Sequence, residues 1–345
     1  MEKYRQFGDG GTGVNPFVPA WSHHRSSLPV RLLQLLLCTP LALLRMTLLG
    51  IALLWLAAAE ALCVVVPVGA VRYPLYRLLS ALGCRLALLA LGVFPAGDVL
   101  ADHRRLRIAP AKTGGASVFG AEHGTLVFAN QQGLTDVIFL CLRLCPTFVF
   151  VARDGTPERL SLIGALRRSI ADAPTTPAAA HSLGDIAAAA RAGWGGPVVV
   201  FAEGANTNGS SLLSWKAKTF EGTASLEKAS GAALVGLEYS KAGAYTPHHT
   251  VGTGARHVFW QCFQPWHTVR SQWLPASEAV AAIKGKPVDQ QWAFLRTLLA
   301  RMIPSAVEVE VPSERHVEFK AYWDAAQQKG YTKQPQADVK VKKKA

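Results

Sequence analysis

The hydrophobic positions fall into two regimes along the chain. Residues 41–66, LALLRMTLLGIALLWLAAAEALCVVV, are apolar almost without a break. As a helix, residues 46–66 would measure about 31 Å, enough for a hydrocarbon core of about 30 Å. Arg45 at the start and Glu60 inside the run oppose a free crossing, because a charge at the bilayer centre costs at least roughly 2.5–3.5 kcal/mol. A second apolar run, residues 78–93, carries Arg85 and follows the breaker Pro67-Val68-Gly69-Ala70. The two runs therefore predict a helical hairpin lodged in one leaflet, with a buried helical pair in a soluble fold as the alternative. Residues 1–28 are polar and lack a short apolar run with a small-residue cleavage site, so no removable signal peptide is expected.

Beyond the second run, short apolar stretches alternate with helical segments. Candidate strands are TLVFA (125–129), TFVFVA (147–152), VVVF (198–201), ALVGLEY (233–239), HVFWQCF (257–263) and VEVEV (307–311). Several are unbroken and β-branched, as strands covered on both faces are. A helix opening at Pro287 places Val288, Trp292, Leu295, Leu299 and Met302 on one face before Pro304 stops it. The alternation predicts an α/β fold, a sheet covered by helices on both sides. Four segments follow: a polar N-terminal segment (1–28), a membrane-associated hydrophobic hairpin (29–95), an α/β domain (96–325) and a basic C-terminal tail (326–345).

Composition adjusts this picture. With 345 residues, 50% of them hydrophobic and only 17% charged, the chain can bury a large core and is not a disordered one. The net charge, 36 − 23 = +13, asks for an acidic partner: nucleic acid, an anionic membrane or a phosphate- or CoA-bearing ligand. Much of it sits in Arg104, Arg105 and Arg107 beside the hairpin and in a tail with six lysines and one aspartate. With Tyr331 the one aromatic residue among these basic residues, membrane lipids rather than nucleic acid are the expected partner. The tail ends Lys342-Lys343-Lys344-Ala345, which matches a dilysine retrieval signal of the endoplasmic reticulum and equally suits contact with acidic lipid. Either use requires a cytosolic C-terminus, so the expected location is the cytosolic face of the endoplasmic reticulum membrane, with lipid droplets as a second site.

The six cysteines form no C-x-x-C pair, so neither a metal site nor a redox dithiol is expected. The sequence has no G-x-S-x-G elbow, P-loop, G-x-G-x-x-G turn or H-E-x-x-H pair, and no bound cofactor is implied. Chemistry concentrates where two strands run out. TLVFA ends in Asn130-Gln131-Gln132-Gly133-Leu134-Thr135-Asp136, and VVVF ends in Ala202-Glu203-Gly204-Ala205-Asn206-Thr207-Asn208-Gly209. Ligands of open α/β sheets bind outside the carboxyl ends of strands, so the two loops are candidates for one shared site.

With their flanks, these loops resemble motifs I and III of the glycerolipid (lysophosphatidic acid, PlsC-type) acyltransferase superfamily, Asn-His-x4-Asp and Phe-Pro-Glu-Gly-Thr-Arg-Ser-Asn-Gly. The residues that match motif III are Phe201, Glu203, Gly204, Asn208 and Gly209, followed by LLSWKAKTF. LSLIGALRRSI (160–170), with Gly164 at its centre, is similar to motif II, and ALVGLEYS to motif IV. The opening MEKYRQFGDGGTGVNPFVP is similar to that of the yeast-type lysophosphatidic acid:oleoyl-CoA acyltransferases. The resemblance implies a glycerolipid-acyltransferase-like sheet and acyl transfer from acyl-CoA, a co-substrate, to the hydroxyl of a lysophospholipid. It implies catalytic positions Asn130, Gln131 and Asp136 and substrate-binding positions Phe201, Glu203, Gly204, Asn206, Asn208 and Gly209.

Two positions depart from the pattern. Gln131 stands where the family has its general-base histidine, and Asn206 where it has a phosphate-binding arginine. A neutral amide accepts no proton near pH 7. Another base could serve: His123 is nearest in sequence, and His181 with Asp185 could pair on a helix. Alternatively the site positions two substrates and relies on the reactivity of the thioester, since proximity can supply about 7–11 kcal/mol in favourable cases. The third account is a retained fold without catalysis, a lipid-binding or scaffold protein. The sequon Asn208-Gly209-Ser210 lies in the proposed site and is expected to stay unmodified in a cytosolic domain.

Overall fold

The computed structural model describes residues 2–20, 28–109, 117–177, 179–223, 231–240 and 245–328. The lysines near the C-terminal end lie outside them. The first apolar run belongs to α1 (Leu28–Val65), and α2 (Gly69–Ala90) follows the breaker. The helices pack closely: the Trp55 indole donates to the Leu79 carbonyl at 2.9 Å, and a Cβ on Gly83 would come within 2.6 Å of a Leu56 methyl. Among the described residues α1 is the one helix long and apolar enough to cross a membrane, by length and composition alone.

The two charges of α1 have partners in the domain. The Arg45 guanidinium donates to the carbonyls of Cys262, Gln264 and Pro265, and a Glu60 carboxylate oxygen accepts from the Ile163 amide at 3.3 Å. Those carbonyls close one helix and that amide opens another, so each charge meets the helix end of opposite polarity. One side of α1, with Ala42, Leu49, Ala52 and Leu56, is buried, whereas Leu36, Leu43, Leu54, Leu62 and Val64 are exposed.

From α2 the chain turns at Gly92 into β1 (Val93–Leu100) and the single turn α3 (His103–Leu106). Then come β2 (Leu126–Ala129), α4 (Leu134–Leu144), β3 (Thr147–Val151), β4 (Pro157–Leu160), α5 (Leu162–Ser169), α6 (Leu183–Ala192) and β5 (Val198–Phe201). After the two-residue β6 (Ser211–Leu212) follow β7 (Ala232–Tyr239), α7 (Gly254–Phe263), β8 (His267–Leu274), α8 (Ala276–Ile283) and α9 (Val288–Met302). The last elements are β9 (Val307–Glu308) and α10 (Glu314–Gln328).

Seven strands form a mixed sheet in the order β1-β8-β7-β2-β5-β3-β4. Its centre, β7-β2-β5-β3, is parallel, and antiparallel pairs β7-β8 and β3-β4 flank it. Alternate residues of the central strands enter opposite cores, as the pleat requires. Val127, Phe148, Val199 and Val235 join α1, α2 and α4 on one face, while Phe128, Val149, Val200 and Leu234 meet α6 and α9 on the other.

Two expectations are corrected. HVFWQCF is helical, the body of α7, and its buried residues His257, Val258, Gln261 and Cys262 follow a helical period. Aromatic and β-branched content suggested a strand, but packing of that stripe decided the outcome. VEVEV contributes only Val307 and Glu308 to a ladder, parallel to β6. On α9, Leu295, Leu299 and Met302 are buried as expected together with Leu298, whereas Val288 is exposed.

Candidate active site

Strands β2 and β5 are neighbours and parallel, with Phe128 level with Val200. The loops after them therefore leave the same edge side by side. Asn130 extends the β2–β7 pairing past the end of β2: its amide donates to the Leu237 carbonyl at 3.0 Å and its Oδ1 accepts from the Leu237 amide at 2.8 Å. The Gln131 amide donates to Glu203 Oε1 at 2.7 Å, and Gln131 Nε2 to Asn206 Oδ1 at 3.0 Å. The Thr207 amide donates to the Gln131 carbonyl at 2.9 Å. One backbone–side-chain, one side-chain–side-chain and one backbone–backbone link thus join the loops that the sequence pairs.

Asp136 sits in the first turn of α4, where the helix dipole favours a carboxylate. Its Oδ2 accepts from the amides of Gln132 and Gly133 at 2.6 and 2.8 Å, and its Oδ1 accepts from the Tyr239 hydroxyl at 2.6 Å. Tyr239, at the end of β7, is thus the side chain hydrogen-bonded to Asp136. The second Glu203 oxygen accepts from the Leu213 amide at 2.9 Å. Asn206 Nδ2 donates to the Ser169 carbonyl at 2.7 Å and ties the loop to α5.

Asn208 faces another way. Its amide group donates to the carbonyls of Asn15 and Val18, and its backbone amide to that of Pro16. Residues 15–18 thus lie across the second loop, anchored by fully buried Phe17 beside His316 and Phe319. The amide of the sequon is engaged inside the protein. The Phe201 ring packs on Phe150 in the core, 4.7 Å between centroids. Gly204 and Gly209 have φ of 71° and 70°, the left-handed region that favours glycine. A Cβ at Gly209 would lie 2.5 Å from His248 Nε2.

None of Asn130, Gln131, Asp136, Glu203, Asn206 and Asn208 is more than 6% exposed. Burial dominates their electrostatics. It pushes the Asp136 carboxyl up to about 6, against the pull of Tyr239 and two amides. Glu203 is pushed up to about 8, against two amides and the Arg296 charge. Burial lowers His249 to about 4 and also lowers His257, His267 and His316.

These shifts oppose each other in stability. Each histidine is lowered by burial and so loses its proton at lower pH in the folded chain than in the unfolded one, and stability rises with pH up to about 6.5, from about 4 for His249 and His267. The carboxyls hold protons that the unfolded chain releases, so they make stability fall with pH, up to about 6 for Asp136 and about 8 for Glu203. Four histidines outweigh two carboxyls below pH 6.5, and Glu203 alone remains above it. Thermal unfolding in detergent from pH 4 to 9 is expected to give a maximum near pH 6.5. A plateau from about pH 6.5 to 8 would mean that Glu203 is already ionised at neutrality.

Sequence reasoning missed Tyr239, Arg296 and residues 245–250. That last loop is bonded to the site by the His249 amide, which donates to the Gln132 carbonyl at 2.8 Å. His123 lies at the other end of the sheet: its Nδ1 accepts from the Gly196 amide beside Tyr73 and Trp194. Asp185 bonds Ser182 at the start of α6, and His181 is exposed. Among the described residues no group of three or more His, Cys, Asp or Glu side chains is placed to hold a metal ion.

Fold and site together define a mixed α/β protein with two buried carboxyls at the carboxyl ends of adjacent parallel strands. No protein-family model matches the chain, and no curated protein does. Among solved structures it is similar to the 1-acyl-sn-glycerophosphate (LPA) acyltransferase PlsC from Thermotoga maritima, at 12% identity and a TM-score of 0.45, over 84% of this chain and 98% of that one.

Proposed function

We propose that the chain transfers an acyl group from acyl-CoA to the free hydroxyl of lysophosphatidic acid or a related lysophospholipid. The observation that carries this reading is the Glu203 bridge from the loop after β5 to the Gln131 amide after β2, which joins the motif I-like and motif III-like segments in one site. Acyl transfer needs two substrates held together, and a rigid double loop at the strand ends suits that task.

The proposed setting is a membrane surface. With Arg45 and Glu60 turned to the domain, the outer face of α1 and α2 offers Leu43, Leu54, Val64, Leu78 and Leu82 to lipid. That supports a hairpin lying in one leaflet; the cytosolic face of the endoplasmic reticulum and lipid droplets are its proposed locations. Arg104, Arg105 and Arg107 are exposed on and just after α3, whose Leu106 joins the core on the α9 side of the sheet.

A non-catalytic scaffold is the second reading. It is favoured by the burial of every site group and by residues 15–18 across the second loop. The deciding experiment measures transfer from oleoyl-CoA to lysophosphatidic acid by the purified, detergent-solubilised full chain beside Asp136→Asn. The native chain is expected to be active and the variant about 10²-fold slower, on the scale of proton-transfer catalysis. A native chain equal to an empty preparation across several lysolipids, yet still binding vesicles, supports the scaffold.

A further inference from the structure

The proposed reaction moves a proton, and Gln131 cannot take it. The histidines differ sharply in where they lie. His123 is at the far end of the sheet, His316 Nε2 is 2.7 Å from the Thr250 carbonyl oxygen, and the His257 ring packs against those of Tyr245 and His249. His248 lies against both motif-like loops. Its Nε2 occupies the notch left by the missing side chain of Gly209, and the same notch borders Gln132 Oε1, which has no hydrogen-bond partner. Its ring stands edge-on to that of Tyr239, 5.7 Å between centroids at 89°, and the Tyr239 hydroxyl donates to Asp136. The loop carrying it is pinned by the His249 amide on the Gln132 carbonyl.

We propose that His248 is the proton acceptor of the acyl transfer, entering the site from the loop after β7 rather than from the loop after β2. The assignment rests on the acyltransferase reading above. His248 Nε2 takes the proton of the lysophospholipid hydroxyl as that oxygen bonds to the thioester carbonyl carbon. The C–S bond then breaks with its electron pair on sulfur, and the imidazolium returns the proton to the thiolate. The products are ester, CoA thiol and neutral imidazole. Asp136, one tyrosine away, supplies the negative charge that favours the transient imidazolium. Among the described residues, the ionisable groups near the ring include Tyr239, His249 in the same loop and His257 on α7.

The test uses the full chain in detergent micelles with oleoyl-CoA and lysophosphatidic acid. His248→Gln is expected to lower kcat by about 10²–10⁴-fold with KM little changed, while His181→Gln, at an exposed position, matches the native chain. His248→Ala should recover rate when imidazole is added, which a structural histidine would not permit. An active native chain with His248→Gln within threefold of it, or a folded His248→Ala that imidazole does not rescue, overturns the assignment. Should neither variant fold, the native pH profile decides: kcat falling as pH drops below 7 supports a histidine base, and a flat profile from pH 5 to 8 overturns it. An inactive native chain overturns the acyltransferase reading instead, an outcome separate from these.

Discussion

Glu203→Gln is expected to destabilise the protein by about 3–4 kcal/mol, and Asp136→Asn by only about 1 kcal/mol, although both replace a buried carboxyl by its amide. The difference lies in what faces the oxygens. Both Glu203 oxygens accept from backbone N–H groups, those of Gln131 and Leu213. A glutamine must turn its NH2 toward one of them, leaving two donors opposed in a site without water access. A protonated Glu203 differs, because its hydroxyl oxygen keeps a lone pair. At Asp136 the two amides share Oδ2, and the other oxygen meets a hydroxyl. Asparagine can keep its carbonyl toward the amides while the Tyr239 hydroxyl rotates to accept from the new NH2. Urea unfolding of both variants in detergent measures the gap. Equal losses would mean that a water or a shifted loop relieves one Glu203 oxygen.

The same asymmetry explains what the sequence could reveal. β2, β3 and β5 are legible because they are buried on both faces and read as unbroken apolar runs. The loops after them are legible because polar and glycine residues follow directly. β8 was not: in HTVRSQWL the inward residues His267, Val269, Ser271 and Trp273 alternate with polar ones, and two of the four are themselves polar. β1 holds Pro95 and Gly97 and reads as the end of the preceding helix, yet it pairs with β8 through a register shift at those residues. That the loops carrying Gln131 and Glu203 are neighbours was legible from the strand ends, but Tyr239, Arg296 and His248 reach the site from 30 or more residues beyond the second loop in the chain. Nothing local in their neighbourhoods marks them, since contacts across such separations are fixed by topology.

Arg296→Met is the other substitution with a large expected effect, about 3 kcal/mol, and Arg296→Lys should recover little of it. The guanidinium on α9 donates through Nε to the Leu213 carbonyl at 2.9 Å, and through Nη2 to the Val309 carbonyl at 2.7 Å. Its Nη1 reaches Glu310 at 2.8 Å. That ion pair is weak as an energy source, because the Glu310 side chain is 76% exposed. The loss instead comes from buried carbonyls that only a planar fork can reach together. Leu213 is the shared element: Glu203 holds its amide and Arg296 its carbonyl, so the segment after β6 is gripped from both sides. Once one grip is gone the segment can shift, and releasing the other should then matter less. A double-mutant cycle of Arg296→Met with Glu203→Gln should therefore lose less than the sum of the single losses, by about 0.5–3 kcal/mol. Removing the cation should also raise Glu203 further, since Arg296 is among the influences that lower it, and the fall of stability above pH 6.5 should extend to higher pH. Strict additivity with an unmoved alkaline limb would mean that the two side chains act on the site independently.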